Sequence, residues 1–500
     1  MLTWQDAGDG SDHPMADLAH AREIIAAIPA DDSVRAVQDA VQWLESINSS
    51  GNFPVAQRYA VIDLIDVPLR RHGQRLLEQY LALKPQAKFQ EGMLWRAAMG
   101  YCKALGNAYL ACINQVTADK SAEAALGGSF PQLVARAMRA QVLQIKWILM
   151  RYGYVSDIYW TTVATLYAHA EAGAFLNEPI DIYGGAHGRS TIRQEFLRTL
   201  MLGVSSTGGL SPAKQNIAER AIAHFSKDFV SSTSHNAGCN FLFDLHGGMS
   251  PARVLAEAPR GARLFYFGAG QALEAAQSAV DTVNETGTLP SEMNLQSGDS
   301  DAVADTLLHL AFNWEKELPA RDSERRKVAT TLQVTQGFEG VLAMGGNVIQ
   351  ETWVVENAST EGYGIIVPER RGEWLQVGVL IGFLPEDEHP AWGAAVVRRV
   401  ETDARGQRRV GIQVLSRAVV PGTMCNRLAT GVRGAPHNVV LLEAQPSRSG
   451  YLQVLLRPDS FTLRDALEAT RTMDGKSFVV MPSGLVESGP DFDRVRFKVT

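Results

Sequence analysis

Five hundred residues, 46% of them apolar and 20% charged, make a globular chain too long for one ordinary core, so two to four domains are expected. A formal net charge of −7 gives no global attraction to nucleic acid or to an anionic membrane, and excludes neither a local basic patch nor a small anionic ligand. No nucleic-acid polymer and no membrane span are expected as partners.

The N-terminal stretch MLTWQDAGDGSDHPMADL is polar and acidic where a secretory signal would be basic and then apolar. Helical spacing then runs almost without a break from about residue 15 to 225, enough for some eight helices. In DDSVRAVQDAVQWLESIN, Val34, Val37, Val41 and Leu44 share one stripe, and Asp32 or Ser33 is the candidate N-cap. The segments beginning PVAQRYAV, WRAAMGYC, PQLVARAM, DIYWTTVA and PAKQNIAE read the same way, with SSTGGLSP as the loop ahead of the last. No consistent repeat period is present. Trp95, Trp147 and Trp160 are expected to pack between helices. The most apolar window, VLQIKWILM, is too short to span a bilayer and contains Lys146.

Residues 226–320 are mixed. CNFLFDLHGG and ARLFYFGAG read as short strands, SDAVADTLLHLAFNWEKEL as a helix, and Pro319 ends it. His235, Cys239 and His246 lie in SHNAGCNFLFDLHGG, but no third and fourth zinc ligand accompany them, so a loop with a buried cysteine is the expected reading. YGGAHGRS, residues 183–190, lacks the lysine and the strand–helix context of a phosphate loop. Cys102, Cys112, Cys239 and Cys425 form no CxxC pair, which points to a reducing, cytoplasmic compartment.

After residue 320 short β-rich runs alternate with turn signals. TLQVTQGFEGVL, ETWVVENAS, YGIIVP, LQVGVLIGFLP, WGAAVVRRVE and RRVGIQVLS suit a small antiparallel barrel or sandwich. A second group follows, NVVLLEA, YLQVLLRP, SFVVMPS and RVRFKV, either a separate module or a completion of the first. The expected fold class is α+β multidomain. Its parts are a helical domain (1–225), a mixed α/β connector (226–320), an antiparallel β-barrel (321–420) and a C-terminal β module (421–500).

The chemistry-bearing pattern sits at the first barrel. Arg321 and Arg325 are four apart in ARDSERRKVATT, and Arg326 and Lys327 add charge and a second possible register. Thirty-odd residues later, Asn357, Ser359 and Gly362 occupy a strand corner in ENASTEGYGIIVP, and GAAVVRRVE with RRVGIQVL forms a closing hairpin. An RxxxR pair ahead of a barrel strand, then (D/N)xSxxG, then such a hairpin, resembles the PilZ domain family of bacteria. Tyr363 stands where many of that family carry a second glycine. The resemblance covers about residues 320–420. It implies a six-stranded barrel that takes the second messenger cyclic di-GMP as its ligand and needs no other cofactor, in a larger bacterial protein with a helical N-terminal half.

The resemblance implies ligand-binding roles for Arg321, Arg325, Arg326, Asn357, Ser359 and Gly362, and the chemistry of each suits it. A guanidinium lies bidentate on phosphate or on the guanine O6 and N7, and its flat face stacks on a purine. Asn357 and Ser359 offer short donors and acceptors to a guanine edge. Gly362 allows a positive φ or a close approach of backbone to base. Arg398 and Arg399 share a strand, so one of them is expected to face solvent. The reading that follows is a receptor signalling through its helical domain to a protein partner, with no catalytic residue and no metal. The alternatives are a ligand-free PilZ-like interaction scaffold and an enzyme with a site between His235 and His246.

Overall fold

The computed structural model describes residues 13–50, 53–83, 87–184, 188–254, 263–288, 300–316, 325–343, 346, 348–368, 374–386, 391–426, 435–447, 449–458, 460 and 467–500. They fall into two compact units: one holds the helices and a small sheet, the other two β-barrels together with the short segments 152–154 and 208–211.

The first unit begins with α1 (Leu18–Ala26), α2 (Ser33–Ser49), α3 (Val55–Leu81), α4 (Lys88–Ala118), α5 (Ser121–Ala125), α6 (Phe130–Leu149) and α7 (Asp157–Ala172). A two-residue ladder of β1 (Ile180–Asp181) with β2 (Arg189–Ser190) leads to α8 (Ile192–Val204) and α9 (Pro212–His224). Asp32 is the N-cap of α2, its carboxylate accepting from the Arg35 amide at 3.0 Å. The buried stripe of that helix is Ser33, Ala36, Val37, Ala40, Leu44 and Ile47, while Val34 and Val41 sit at its edge. A count of large apolar side chains overlooks the alanines that let α2 approach α4. Trp160 and Trp147 are buried as expected, and the Trp95 indole donates to the Trp147 carbonyl at 2.8 Å.

Five charges meet between α6, α8 and α9, with Lys146, Glu195 and Glu219 buried and Arg139 and Arg198 half-buried. Arg139 grips Glu195 with two hydrogen bonds of 3.0 and 3.1 Å, and Arg198 bridges Glu195 and Glu219. Lys146 completes the chain, 2.8 Å from Glu219 and 2.7 Å from the Asn216 side-chain oxygen. Burial alone would raise the Glu219 carboxyl, but the attraction of Lys146 and Arg198 outweighs it and holds the group well below the carboxylate range.

The unit closes with an antiparallel sheet of β3 (Val230–Ser232), β4 (Phe241–Asp244), β5 (Ala252–Arg253) and β6 (Leu264–Gly268), in the order β3-β6-β4-β5, and with α10 (Ala272–Thr286) and α11 (Ser300–Trp314). Phe243 and Phe265 pack edge-on against Phe196 of α8. No helix among the described residues is long and apolar enough to cross a membrane.

The second unit holds β7 (Arg326–Gln336), α12 (Gly337–Ala343), β8 (Gln350–Ala358), β9 (Gly362–Val367), β10 (Leu380–Pro385), β11 (Gly393–Thr402) and β12 (Arg408–Ser416). These six strands close a barrel in the order β7-β8-β9-β12-β11-β10, around Leu332, Trp353, Ile365, Phe383, Val397 and Val410. GFEGVL, expected to extend a strand, is the helix α12, whose Phe338 and Val341 are buried beside Leu380 and Val396. The expected closing hairpin is present, with Val400 opposite Val410.

The last strands are β13 (Val420–Asn426), β14 (His437–Leu441), β15 (Tyr451–Leu456), β16 (Leu467–Arg471), β17 (Ser477–Ser488) and β18 (Asp493–Val499). They do not complete the first barrel. They close a second one, in the order β13-β14-β15-β18-β17-β16, with its own core of Val439, Leu452, Val454, Val480 and Phe497. Counted within each barrel, the strand order is the same: 1-2-3-6-5-4. A shared cluster that includes Phe338, Leu380, Val396, Val440, Leu455 and Phe492 joins the two.

Candidate functional site

The strand corner at Asn357–Gly362 is shaped by a misfit in the ladder. β8 carries an extra residue at Glu356, since Val355 pairs with Ile365 while Asn357 already pairs with Gly364. A bulge of this kind turns the strand and re-aims the side chains after it. The Asn357 amide consequently lies across Gly364, where a Cβ would come within 2.6 Å of its oxygen. Any side chain at position 364 would expel Asn357 from the corner.

Asn357 and Arg325 are brought together. Arg325, immediately before β7, donates from Nη1 to Asn357 Oδ1 at 3.1 Å. The two motifs, 32 residues apart in sequence, therefore meet at one corner of the barrel. Arg326 opens β7 opposite Ala358, and Lys327 lies opposite Asn357; both are exposed. Arg321 lies outside the described residues.

Ser359 closes the turn. Its amide donates to the Gly362 carbonyl at 2.9 Å, and its hydroxyl reaches the same oxygen at 3.4 Å. Gly362 does not adopt a positive φ. Its lack of a side chain answers a different need: a Cβ there would stand 2.0 Å from the Ile412 carbonyl of β12. The close approach is thus between two strands of the barrel.

One residue at this corner escaped sequence reasoning. Arg417, just after β12, donates to the Tyr363 hydroxyl at 2.8 Å and to the carbonyls of Thr360 and Ser359 at 3.2 and 3.4 Å. Its guanidinium also lies 5.6 Å from the Tyr363 ring centre. Tyr363, in place of a second glycine, is thereby held with its ring buried against Phe383. No local sequence signal marks Arg417, which stands 57 residues from Thr360.

The corner thus displays Arg325, Arg326, Lys327 and Arg417 around an Asn–Ser turn, a cationic frame with short polar groups at its centre. Two acids lie close by: Glu361, exposed in the turn itself, and Glu356, which Arg409 of β12 pairs at 2.9 Å. Phosphate and a guanine edge are the groups such a frame can hold. The strand arginines lie elsewhere. Arg398 makes a bidentate pair with Glu487 of the second barrel, with one bond of 2.5 Å and one of 2.9 Å, and Arg399 pairs with Glu401 in solvent.

Around the other candidate, Cys239 is buried while His235 and His246 are exposed. Burial raises the Cys239 thiol above its usual range. Among the described residues no group of three or more His, Cys, Asp or Glu side chains is placed to hold a metal.

Residues 19–234 match the family model described as the N-terminal domain of the cyclic-di-GMP receptor FimW. No curated protein matches the chain. Among solved structures, the PlzA protein of Borreliella burgdorferi in complex with c-di-GMP matches with 9% identity and a TM-score of 0.14, covering 35% of this chain and 89% of that one. A TM-score that low carries no weight for fold or function. With a match to the FimW N-terminal domain over residues 19–234 and a six-stranded barrel carrying both motifs behind it, the chain resembles the PilZ-type cyclic-di-GMP receptors.

Proposed function

We propose that this chain binds cyclic di-GMP at the Arg325–Asn357 corner of its first barrel and signals the binding to a protein partner through its helical unit. The observation that carries the reading is the 3.1 Å hydrogen bond from Arg325 to Asn357, which joins the arginine segment to the (D/N)xSxxG turn. In this reading Arg325 and Arg326, with Arg321 upstream, take phosphate and guanine N7/O6. Asn357 and Ser359 read the base edge, and Gly362 lets β9 lie close against β12 beneath that turn. Each stacked or bidentate contact contributes about 1–3 kcal/mol, so three or four of them, after the cost of association, reach micromolar affinity.

The family is one of receptors, and the work assigned to these residues is binding without bond-making. Ordering of the arginine segment by the ligand is the step that biases the protein between two states. The four cysteines are unpaired, which supports a reducing, cytoplasmic setting.

A ligand-free scaffold is the second reading, and one observation favours it. Asn357, Ser359 and Gly362 each have a structural task in the barrel, over Gly364, in the turn and beside Ile412. Isothermal titration of cyclic di-GMP into the full chain, with Arg325→Ala beside it, separates the two. Saturable micromolar binding, with the equivalent held at the first barrel lost in the variant, is the expected result. Absence of heat at millimolar ligand would leave the scaffold.

A further inference from the structure

The two barrels share a strand order, so the turn between the second and third strands of one has a counterpart in the other. In the first barrel that turn reads Asn357-Ala-Ser359-Thr-Glu-Gly362-Tyr363, and in the second Gln445-Pro-Ser447-Arg-Ser-Gly450-Tyr451. Amide, serine, glycine and tyrosine recur at identical spacing.

The recurrence extends to the contacts. The first amide oxygen accepts from Arg325 at 3.1 Å, and the Gln445 oxygen accepts from Lys476 Nζ at 3.2 Å. Ser359 and Ser447 each close the turn; Ser447 accepts from the Tyr451 amide at 3.1 Å and its own amide donates to the Tyr451 carbonyl at 2.7 Å. A guanidinium lies over each tyrosine, Arg417 at 5.6 Å from Tyr363 and Arg496 at 5.9 Å from Tyr451. Arg471 also reaches the second turn, donating to the Ala444 carbonyl at 2.6 Å while its charge is paired with Asp474. The glycines differ: Gly450 has a φ of +77°, so here the backbone itself demands glycine.

Beside this turn is an open cavity of about 210 Å³, lined by Glu443, Ser447, Ser449, Tyr451, Gln453 and Arg496. It lies below the roughly 300–1,000 Å³ of pockets that enclose a drug-sized molecule, which limits it to a single base with its phosphate. Its chemistry is divided accordingly. Arg496 offers charge to phosphate, with Lys476 held outside the cavity by Gln445, and Tyr451 offers a ring face for stacking. Glu443 is an acceptor suited to a group that presents N–H donors, as guanine does at N1 and N2. Glu443 would repel a bare phosphate or an adenine N1.

We propose that the Gln445–Tyr451 turn of the second barrel is a second nucleotide site, taking one guanine with its attached phosphate. Its ligand chemistry is borrowed from the reading of the first turn, but its occupancy does not depend on that turn. The source of the guanine is either a mononucleotide or one half of the cyclic dinucleotide.

The test uses the full chain with the first turn disabled by Arg325→Ala and Asn357→Ala. Cyclic di-GMP and GMP are titrated into it separately, and then into the same protein carrying Arg496→Ala, Arg496→Lys or Gln445→Ala. One remaining equivalent of at least one ligand is expected, weakened about tenfold or more by Arg496→Ala and by Gln445→Ala and partly restored by Arg496→Lys. Equal binding of GMP would identify a mononucleotide site; binding of the dinucleotide alone would identify a site for half of it. Absence of saturable binding, or residual binding indifferent to both the Arg496 and Gln445 substitutions, would overturn the proposal. Failure of the first-turn reading would show differently, as wild-type affinity surviving Arg325→Ala.

Discussion

Arg417 holds Tyr363 by two means at once, a 2.8 Å hydrogen bond to the phenol oxygen and a guanidinium 5.6 Å from the ring centre. Because it also binds the Ser359 and Thr360 carbonyls, the segment between the two barrels buttresses the turn proposed to bind ligand. Arg417→Ala should weaken cyclic di-GMP binding roughly tenfold, in line with the ~1.5–3 kcal/mol of hydrogen bonds to a charged group reduced by exposure. Arg417→Lys should fall between, since an ammonium cannot reach three acceptors in a plane. Titration calorimetry checks both, with thermal unfolding as the control for the fold.

Asn357 tests which property of its side chain counts. Asn357→Asp keeps an acceptor for Arg325 and makes it charged, and the D/N choice in the motif leads to binding within about threefold of the parent. Asn357→Leu fills the same space above Gly364 without an acceptor, and a loss of about 10–100-fold is expected. Equal affinities for the two variants would remove Asn357 from the site.

Gly362→Ala would place a methyl group 2.0 Å from the Ile412 carbonyl and should cost about 1–3 kcal/mol as β9 and β12 separate. Gly484→Ala in β17, where no atom stands within 4 Å of the added carbon, should leave the unfolding midpoint almost unchanged. Chemical denaturation of the two variants side by side gives the comparison.

Glu219 gives the helical unit a dependence on acid. Its folded carboxyl lies below the ordinary range because Lys146 and Arg198 overcome the effect of burial. The stabilisation is complete above the unfolded carboxylate pKa, near 4.3, and declines as pH falls below it towards the folded value. Glu219→Gln strands the buried Lys146 ammonium and leaves Arg198 with Glu195 alone, and should cost roughly 3–5 kcal/mol at neutral pH. Between pH 5 and 3 the variant should lose less of its remaining stability than the parent, as followed by helical circular dichroism.

The thiols should differ sharply in reactivity. Burial pushes Cys102 and Cys112 up to about 12, leaving almost no thiolate at pH 8, and Cys239 is buried as well. Cys425 is only half-buried. Alkylation of the native protein should modify one thiol rapidly, a reaction that Cys425→Ser removes.

Most helices were legible because their apolar spacing is local. α8 falls within the stretch of helical spacing but is not singled out there, although its Thr191–Gln194 capping box and its buried Phe196, Leu197, Leu200 and Met201 mark it. α12 was read as strand because GFEGVL is short and apolar, and such runs fit either element. The second barrel was read as a group of strands and not as a barrel, since β13 and β16 carry little strand signal; VPGTMCN contains both Pro421 and Gly422. At the site, Asn357, Ser359 and Gly362 were visible as a motif. The tasks of Gly364 and Arg417 follow from strand register and from a contact across the barrel, and neither leaves a trace in local sequence.

The buried charges of the helical unit constrain how it can move. Arg139 and Lys146 of α6, Glu195 and Arg198 of α8, and Glu219 of α9 are interlocked so that each is satisfied only in one register. Sliding any of the three helices by a turn would leave a charge in the interior with nothing opposite it, at several kcal/mol apiece. The same pairs that satisfy these charges therefore fix α6, α8 and α9 in one register relative to one another.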